Sequence, residues 1–182
     1  MLTQIVILSL VGGLLCLDRI FLQAMLSRPI IIAPLMGLLL GDPYTGLIIG
    51  AIFELFWIDR APIGIYIPPN DSVASAFAAA LAILAGQSLG AVTKELMALS
   101  VLLAVPFGIL AKKMDVRMMA ANDRLSDRAL EEAKSLNLRA IENMTYFALG
   151  RAFVLYAAML LVLPAIFVPT VIWLYPKLPV QI

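Results

Sequence analysis

Eight ionisable side chains stand in or beside long apolar runs: Asp42, Glu54, Asp59, Arg60, Asp71, Lys94, Glu95 and Arg151. Charge is expensive in such surroundings, so groups of this kind mark sites or pathways unless a helix end explains them. Lys94 and Glu95 separate two apolar runs and read as interfacial, Arg151 can snorkel to a nearby interface, and Asp42 before Pro43 reads as a turn former. Glu54 resists such explanations. Eleven apolar or small residues precede it, and Leu55, Phe56 and Trp57 follow. A carboxylate there needs a partner or a wet cavity, and Arg60 and Arg151 are the first cations to consider. After Asp59–Arg60 comes APIGIYIPPNDS, whose three prolines and one glycine exclude a plain helix. The segment ends in Asn70, Asp71 and Ser72. Two readings stand for these residues. One or more of them caps the alanine-rich helix that follows. Alternatively they form a polar loop between two membrane elements, where carboxylate and amide groups bind the hydroxyls of a polar solute, as in transporters built from broken helices.

Other chemistries are excluded by residue type. The sequence contains no histidine, so this chain has no His nucleophile, His base, His metal ligand or phosphohistidine. Its one cysteine, Cys16, lies in an apolar run and can staple nothing alone. There is no Walker loop, zinc spacing or serine or cysteine catalytic constellation, and Gly12–Gly13 lack a following basic residue that would suggest a phosphate cradle. No cofactor or metal is expected. A formal net charge of +1 gives no field to attract nucleic acid.

The elements that must position Glu54, Asn70 and Asp71 are membrane helices. The chain is 63% hydrophobic and 14% charged, with a mean hydropathy of +1.00. A soluble domain of ordinary composition is about half apolar and about a quarter charged. Four runs approach the roughly 20 residues a helix needs to cross the hydrocarbon: Met1–Leu17, Ser72–Thr93, Leu96–Ala111 and Ala152–Tyr175. The first lacks a basic leader and a small-residue cleavage site, and reads as a retained membrane segment rather than a signal peptide. Trp173 and Tyr175 close the last, where aromatic residues favour an interface. From Pro29 to Ile58 the pattern differs. Asp42–Pro43 divides it into two halves too short to cross alone, with Gly37, Gly41, Gly46 and Gly50 permitting close approach. Re-entrant halves and one long kinked helix both fit. The chain therefore reads as all-α: a polytopic helical membrane protein with re-entrant or broken segments.

Charge divides the chain into blocks. Of the 25 charged residues, 13 lie between Lys112 and Glu142, seven basic and six acidic. Leu125, Ala129, Ala133, Leu136, Ala140 and Met144 recur at helical spacing, and Arg128–Glu132 and Glu131–Lys134 are spaced to pair. This segment is either a solvated connector or a surface helix that docks a partner or lies in the interface. The expected organisation is an N-terminal membrane block over 1–111 with a site region at 29–72, a charged amphipathic connector over 112–145 and a C-terminal membrane segment over 146–182.

The run from Leu26 to Ser75 resembles the membrane IIC subunit of the mannose/fructose/sorbose class of the bacterial phosphotransferase system. The resemblance is carried by Arg28–Pro29, Gly41–Asp42, Gly46, Gly50, Glu54, Ile63–Gly64 and the Pro69 loop before a small-residue helix, in that order and spacing. It implies a sugar permease subunit in the bacterial cytoplasmic membrane that binds and translocates a hexose-like sugar. It further implies a IID-like membrane partner, soluble IIA and IIB phosphocarriers, an oligomeric complex, and no catalysis by this chain itself, the phosphoryl chemistry lying on IIB. Family members run longer, so a short form of the subunit is expected. The family's sugar site draws on the glutamate and proline-loop regions, which transfers a substrate-binding role to Glu54, Asn70 and Asp71. The competing reading is a membrane sensor or docking protein with the same fold that reports sugar or phosphorelay state.

The seven basic residues of the 112–142 segment outnumber those of any other loop, which places it on the cytoplasmic side. A cysteine introduced at Ser135 is expected to escape an impermeant thiol reagent in intact cells and to react once the membrane is opened. Labelling in intact cells would reverse the orientation.

Overall fold

The computed structural model describes residues 1–59 and 67–178. It consists of six helices and a closing 3-10 turn, with no strand among the described residues. Helix α1 spans Leu2–Leu17, α2 Pro29–Leu40, α3 Pro43–Phe56, α4 Asp71–Leu89, α5 Lys94–Lys134 and α6 Leu138–Leu174.

The first structural question is settled at Asp42–Pro43: α2 and α3 are two short antiparallel helices, not one kinked helix. Gly41 takes the left-handed conformation (φ +86°) that ends α2, and the Asp42 N–H returns to the Gly37 carbonyl at 2.8 Å. Asp42 then starts α3, its carboxylate accepting from the Thr45 N–H at 3.0 Å, with Pro43 at the first helical position. The glycines set how closely the two arms of this hairpin approach. A Cβ on Gly46 would lie 2.4 Å from the Ala33 carbonyl oxygen, and one on Gly50 2.4 Å from that of Pro29. At about 1.5 Å per residue, 12 and 14 residues give arms of about 18 and 21 Å, short of the roughly 30 Å hydrocarbon core. The tip is held to α4 by Gln87, which donates to the Leu40 carbonyl at 2.6 Å.

Helix α4 is the axis of the bundle. From Ser72 to Gly86 every residue is buried, which only a run of alanines, serines and a few larger apolar side chains permits with neighbours on all sides. Phe77 of α4, Phe107 of α5 and Phe167 of α6 meet edge to face, with centroids 5.0 to 5.6 Å apart, and tie the three longest membrane helices together. Helices α4, α5 and α6 are long and apolar enough to cross a membrane. The 16-residue α1, expected as a further span, is shorter. It runs antiparallel to α6, where Gly12 and Gly13 admit Leu160 and Ala157.

The charged segment forms no separate element. Helix α5 continues for 41 residues from the membrane run to Lys134, and α6 returns after a turn at 135–137, where Leu136 has φ +55°. Between Met118 and Ala152 no residue is buried, so these parts of α5 and α6 project from the bundle as a two-helix arm. The stripe from Leu125 to Met144 is thus folded back on itself at Leu136 rather than laid along one helix. Nor do Arg128–Glu132 and Glu131–Lys134 pair: the ion pairs Arg19–Asp71 and Arg28–Glu54 lie elsewhere, and Glu132 accepts from the Asn137 side chain at 2.7 Å. Exposed pairs of this kind gain too little to hold two long side chains in one geometry.

Gly46→Ala is expected to destabilise the detergent-solubilised protein by about 1–3 kcal/mol through overpacking, a fall of several degrees in melting temperature. Gly150 has open space around its Cβ position, so Gly150→Ala should be neutral or stabilising by up to about 1 kcal/mol. Equal melting temperatures for the two variants would contradict the close hairpin packing.

Candidate functional site

The polar residues gather at the end of the bundle from which the arm projects. Six structural pieces meet there: the 18–28 loop, the starts of α2 and α4, the end of α3, and α5 and α6 at the root of the arm. A helix start leaves backbone N–H groups without partners, and at α4 no solvent surrounds the helix to take them. Asn70 supplies the cap. It is 1% exposed, its side-chain oxygen accepts from the Val73 N–H at 3.0 Å, and its own N–H donates to the Gly108 carbonyl at 3.0 Å. Gly108 permits this crossing: a Cβ there would stand 2.8 Å from the Trp57 ring and 3.3 Å from the Asn70 carbonyl oxygen.

The Asn70 amide also donates to Asp115 Oδ2 on α5 at 2.9 Å. Asp115 is 9% exposed, and its other oxygen, Oδ1, has no hydrogen-bond partner. The Tyr156 hydroxyl of α6 lies beside this carboxylate. Asp71, the first residue of α4, pairs with Arg19 at 2.8 Å, with side chains about 30% exposed on both sides. Asn70 and Asp71 thus bind α4 to α5 on one side and to the loop after α1 on the other.

That loop is organised by Asp18, 3% exposed, whose carboxylate accepts from the Ala24 N–H at 2.8 Å, the Ser27 N–H at 3.2 Å and the Ser27 hydroxyl at 3.4 Å. These bonds hold a turn in which Gln23 and Met25 have φ of +55° and +65°, a conformation uncommon outside glycine. The turn presents Arg19 towards Asp71 and Arg28 towards Glu54. Arg28 donates to Glu54 Oε1, and Glu54 Oε2 accepts from the Ile30 N–H at 3.3 Å. The Glu54 carboxylate therefore sits against the N-terminus of α2, where unpaired N–H groups and the helix dipole favour negative charge.

Of the three residues predicted to bind substrate, Asn70 and Asp71 are adjacent, and Asn70 proves to be the cap. Glu54 occupies its own station at the mouth of the hairpin. Its partner is Arg28, not Arg151, which instead bonds Asn122 at 3.1 Å and stacks on Phe147; Arg60 lies outside the described residues. Sequence reasoning overlooked Asp18, Arg19, Asp115 and Tyr156 as members of this polar group. For Asp115 a signal existed: Ala104, Gly108, Ala111, Asp115 and Met118 fall on one helical face, and that buried face continues unbroken past Lys112–Lys113.

Chemically, the end of the bundle offers two partly open ion pairs and a buried carboxylate with one free oxygen. Such groups can exchange bonds with the hydroxyls of a neutral polar solute, accepting through Asp71 and Asp115 and donating through Arg19.

The model of a protein family described as the PTS system sorbose-specific IIC component matches residues 2–179. The chain is 28% identical over 141 residues to the fructose permease IIC component of Bacillus subtilis (strain 168), covering 78% of this chain and 49% of that protein. It is 28% identical over 138 residues to the mannose-specific EIIC component of Escherichia coli (strain K12), covering 76% and 49%. The sorbose-specific EIIC component of Lacticaseibacillus casei is 29% identical over 129 residues, covering 69% and 45%. The chain thus spans about half the length of these relatives. Its fold matches a chain in the cryoEM structure of the mannose transporter ManYZ in complex with microcin E492, with a TM-score of 0.76 at 22% identity, covering 97% of this chain and 68% of that one.

Removing the Asn70 side chain should cost more than neutralising Glu54. Asn70→Ala loses a cap, about 0.5–2 kcal/mol, and strands a second oxygen of a buried carboxylate, about 1–3 kcal/mol. Glu54→Gln loses a pair whose arginine is half exposed, worth about 0–1 kcal/mol. Thermal unfolding in detergent reads the difference; a reversed order would place the structural weight at the hairpin instead.

Proposed function

The chain belongs to the family of PTS sorbose-specific IIC components, and from this we propose that it is the sugar-translocating membrane subunit of a phosphotransferase system of the mannose, fructose and sorbose class. Its substrate is a hexose-like sugar, bound in the polar cluster at the start of α4. The observation that carries the reading is the arrangement at Asn70–Asp71: a capped, buried helix start whose neighbours Arg19 and Asp115 hold part of their bonding capacity open. Asp71 and Asp115 accept from sugar hydroxyls, Asn70 fixes the Asp115 carboxylate, and Glu54 with Arg28 borders the site at the mouth of the α2–α3 hairpin. Bound sugar is carried by alternating access around this cluster, the short hairpin being one of the elements that move.

The chain itself performs no phosphoryl transfer. The absence of histidine from its 182 residues fits a subunit that carries no phosphohistidine, with the phosphate delivered by soluble IIA and IIB partners. A IID-like membrane subunit completes the assembly in the bacterial cytoplasmic membrane. Support for it comes from the outward faces of the hairpin, where Leu38, Leu39, Tyr44, Leu47 and Ile52 are exposed on helices too short to span. Backbone that stops inside a bilayer needs protein or a wet cavity beside it. No observation favours the sensor reading.

Uptake of labelled sugar by cells co-expressing the partner subunits tests the site. Asp115→Asn keeps an oxygen to accept from Asn70 but removes the charge, and Asp71→Asn removes the Arg19 pair without disturbing the Asn70 cap. Each is expected to lower uptake about tenfold to a hundredfold at normal membrane levels, the worth of one charge-assisted hydrogen bond of about 1.5–3 kcal/mol. Glu54→Gln should lower it as well, with the protein still inserted. Wild-type uptake by Asp71→Asn and Asp115→Asn together would remove the cluster from the sugar path.

A further inference from the structure

At the root of the arm, α5 and α6 part to form a cavity of about 570 Å³ lined by Arg124, Arg128, Arg151, Phe147 and Leu125. Arg117 joins the same seam one step nearer the bundle, beside Met114, Arg151 and Leu155. Arg117, Arg124 and Arg128 share a face of α5 by spacing and look across at Arg151 on α6. Asp123, Asp127 and Glu131 belong to the same stretch of helix yet line neither cavity. Arg124 and Arg128 have no hydrogen bond or ion pair among the described residues. Arg151 is held in place by Asn122 and Phe147, neither of which neutralises it. Four arginines thus line one seam that, among the described residues, no carboxylate lines.

Towards the membrane, the seam becomes wholly apolar. From Arg151 it passes Leu155 and Met114 and continues between Leu110, Met159 and Val162. Eleven residues of α6 separate Arg151 from Val162, about 16 Å of helix, close to the roughly 15 Å depth of one hydrocarbon leaflet. The basic end lies at Arg151, where the apolar run of α6 begins. A charged headgroup belongs at such a boundary, with its hydrocarbon on the apolar side.

We propose that this seam is a binding site for an anionic phospholipid, with its phosphate among Arg124, Arg128 and Arg151 and an acyl chain in the Met114–Leu155–Val162 groove. The charge pattern selects an anion. The apolar continuation selects an anion that carries a hydrocarbon tail, which free phosphate lacks. Basic pockets between membrane helices recognise lipid phosphates through this combination. The site is independent of the sugar cluster, since none of its residues takes part there.

The test uses the full chain purified in detergent, with native mass spectrometry and thermal unfolding in the presence of phosphatidylglycerol, cardiolipin, phosphatidylcholine or inorganic phosphate. The anionic lipids are expected to remain bound and to raise the melting temperature; phosphatidylcholine and inorganic phosphate are not. Arg124→Gln/Arg128→Gln alters two side chains without partners, so folding should be kept, and it should weaken anionic-lipid binding about twenty-five-fold, roughly fivefold per charge. Val162→Trp fills the groove without touching a charge, and should also weaken lipid binding. Stabilisation by inorganic phosphate equal to that by lipid, with no effect of Val162→Trp, would make this a free-anion site and overturn the proposal. Equal binding of phosphatidylcholine, or unchanged lipid binding in both variants, would overturn it as well.

Discussion

A helix buried on every side has nowhere to hide its first turn. Helix α4 runs through the middle of the bundle, and its leading N–H groups meet protein where a surface helix would meet water, while the Asp71 carboxylate is only partly covered. The other polar features follow from this. Asn70 must be a cap, and because its amide is then committed on one side, its N–H₂ reaches Asp115. Asp71 must be neutralised, so the loop after α1 must bring Arg19 to it. That loop can do so only if it turns sharply, which Asp18 enforces by collecting three hydrogen bonds. The same turn delivers Arg28 to Glu54. One buried helix start thereby determines the arrangement of six charged residues from four different elements.

The membrane character and the helical class were legible because they depend on composition and run length, which a single sequence displays directly. The hairpin was half legible. Asp42–Pro43 and the glycines marked a discontinuity, but a kink and a reversal use the same residues. What decides between them is the contact of Gly46 with Ala33 and Gly50 with Pro29, which are 13 and 21 residues apart in the chain. The same limit explains the partner of Glu54. Arg60 was near in sequence and Arg151 was conspicuous, whereas Arg28 lies 26 residues back and becomes adjacent only once the hairpin has closed. Asn70 was legible as a cap or a ligand-binding residue because both roles draw on the same short polar side chain. Asp115 was hidden by its company: six other basic or acidic residues follow within a few turns, and a charged stretch reads as solvated. Its buried status comes from lying on the continuing small-residue face of α5, a three-to-four-residue period that the charge count conceals.

The arm shows why local pairing rules carried little weight there. Helical spacing makes Arg128–Glu132 possible, but Arg128 is exposed to water and Glu132 is bonded by Asn137 instead. Leu136, with left-handed backbone and nearly full exposure, ends one helix where the apolar period alone would have continued it. The period persists across the break because the two helices face each other: Leu125 and Ala129 on α5, and Ala140 and Met144 on α6, are half-buried on facing sides. A repeat of apolar positions reports a shared buried surface, and that surface can belong to one helix or to two folded together.

The arginines differ in their partners by element: those of the loop after α1 meet carboxylates, and those of the α5–α6 seam do not. At the bundle end, Arg19 and Arg28 each meet a carboxylate, although their side chains stay 28% and 50% exposed. Arg151, one turn further out, is satisfied by an amide oxygen and an aromatic face, both neutral. Arg124 and Arg128, further out again, have no partner among the described residues. Arg117 lies nearer the bundle than Arg151 and also has no ion pair among the described residues, so depth alone does not set the pairing. What differs is the supply of carboxylates: α3 and α4 bring Glu54 and Asp71 to the arginines of the loop after α1, whereas the faces of α5 and α6 that line the seam carry none. The ion pairs beside α4 are therefore made within the protein, while the seam between α5 and α6 remains open and positive.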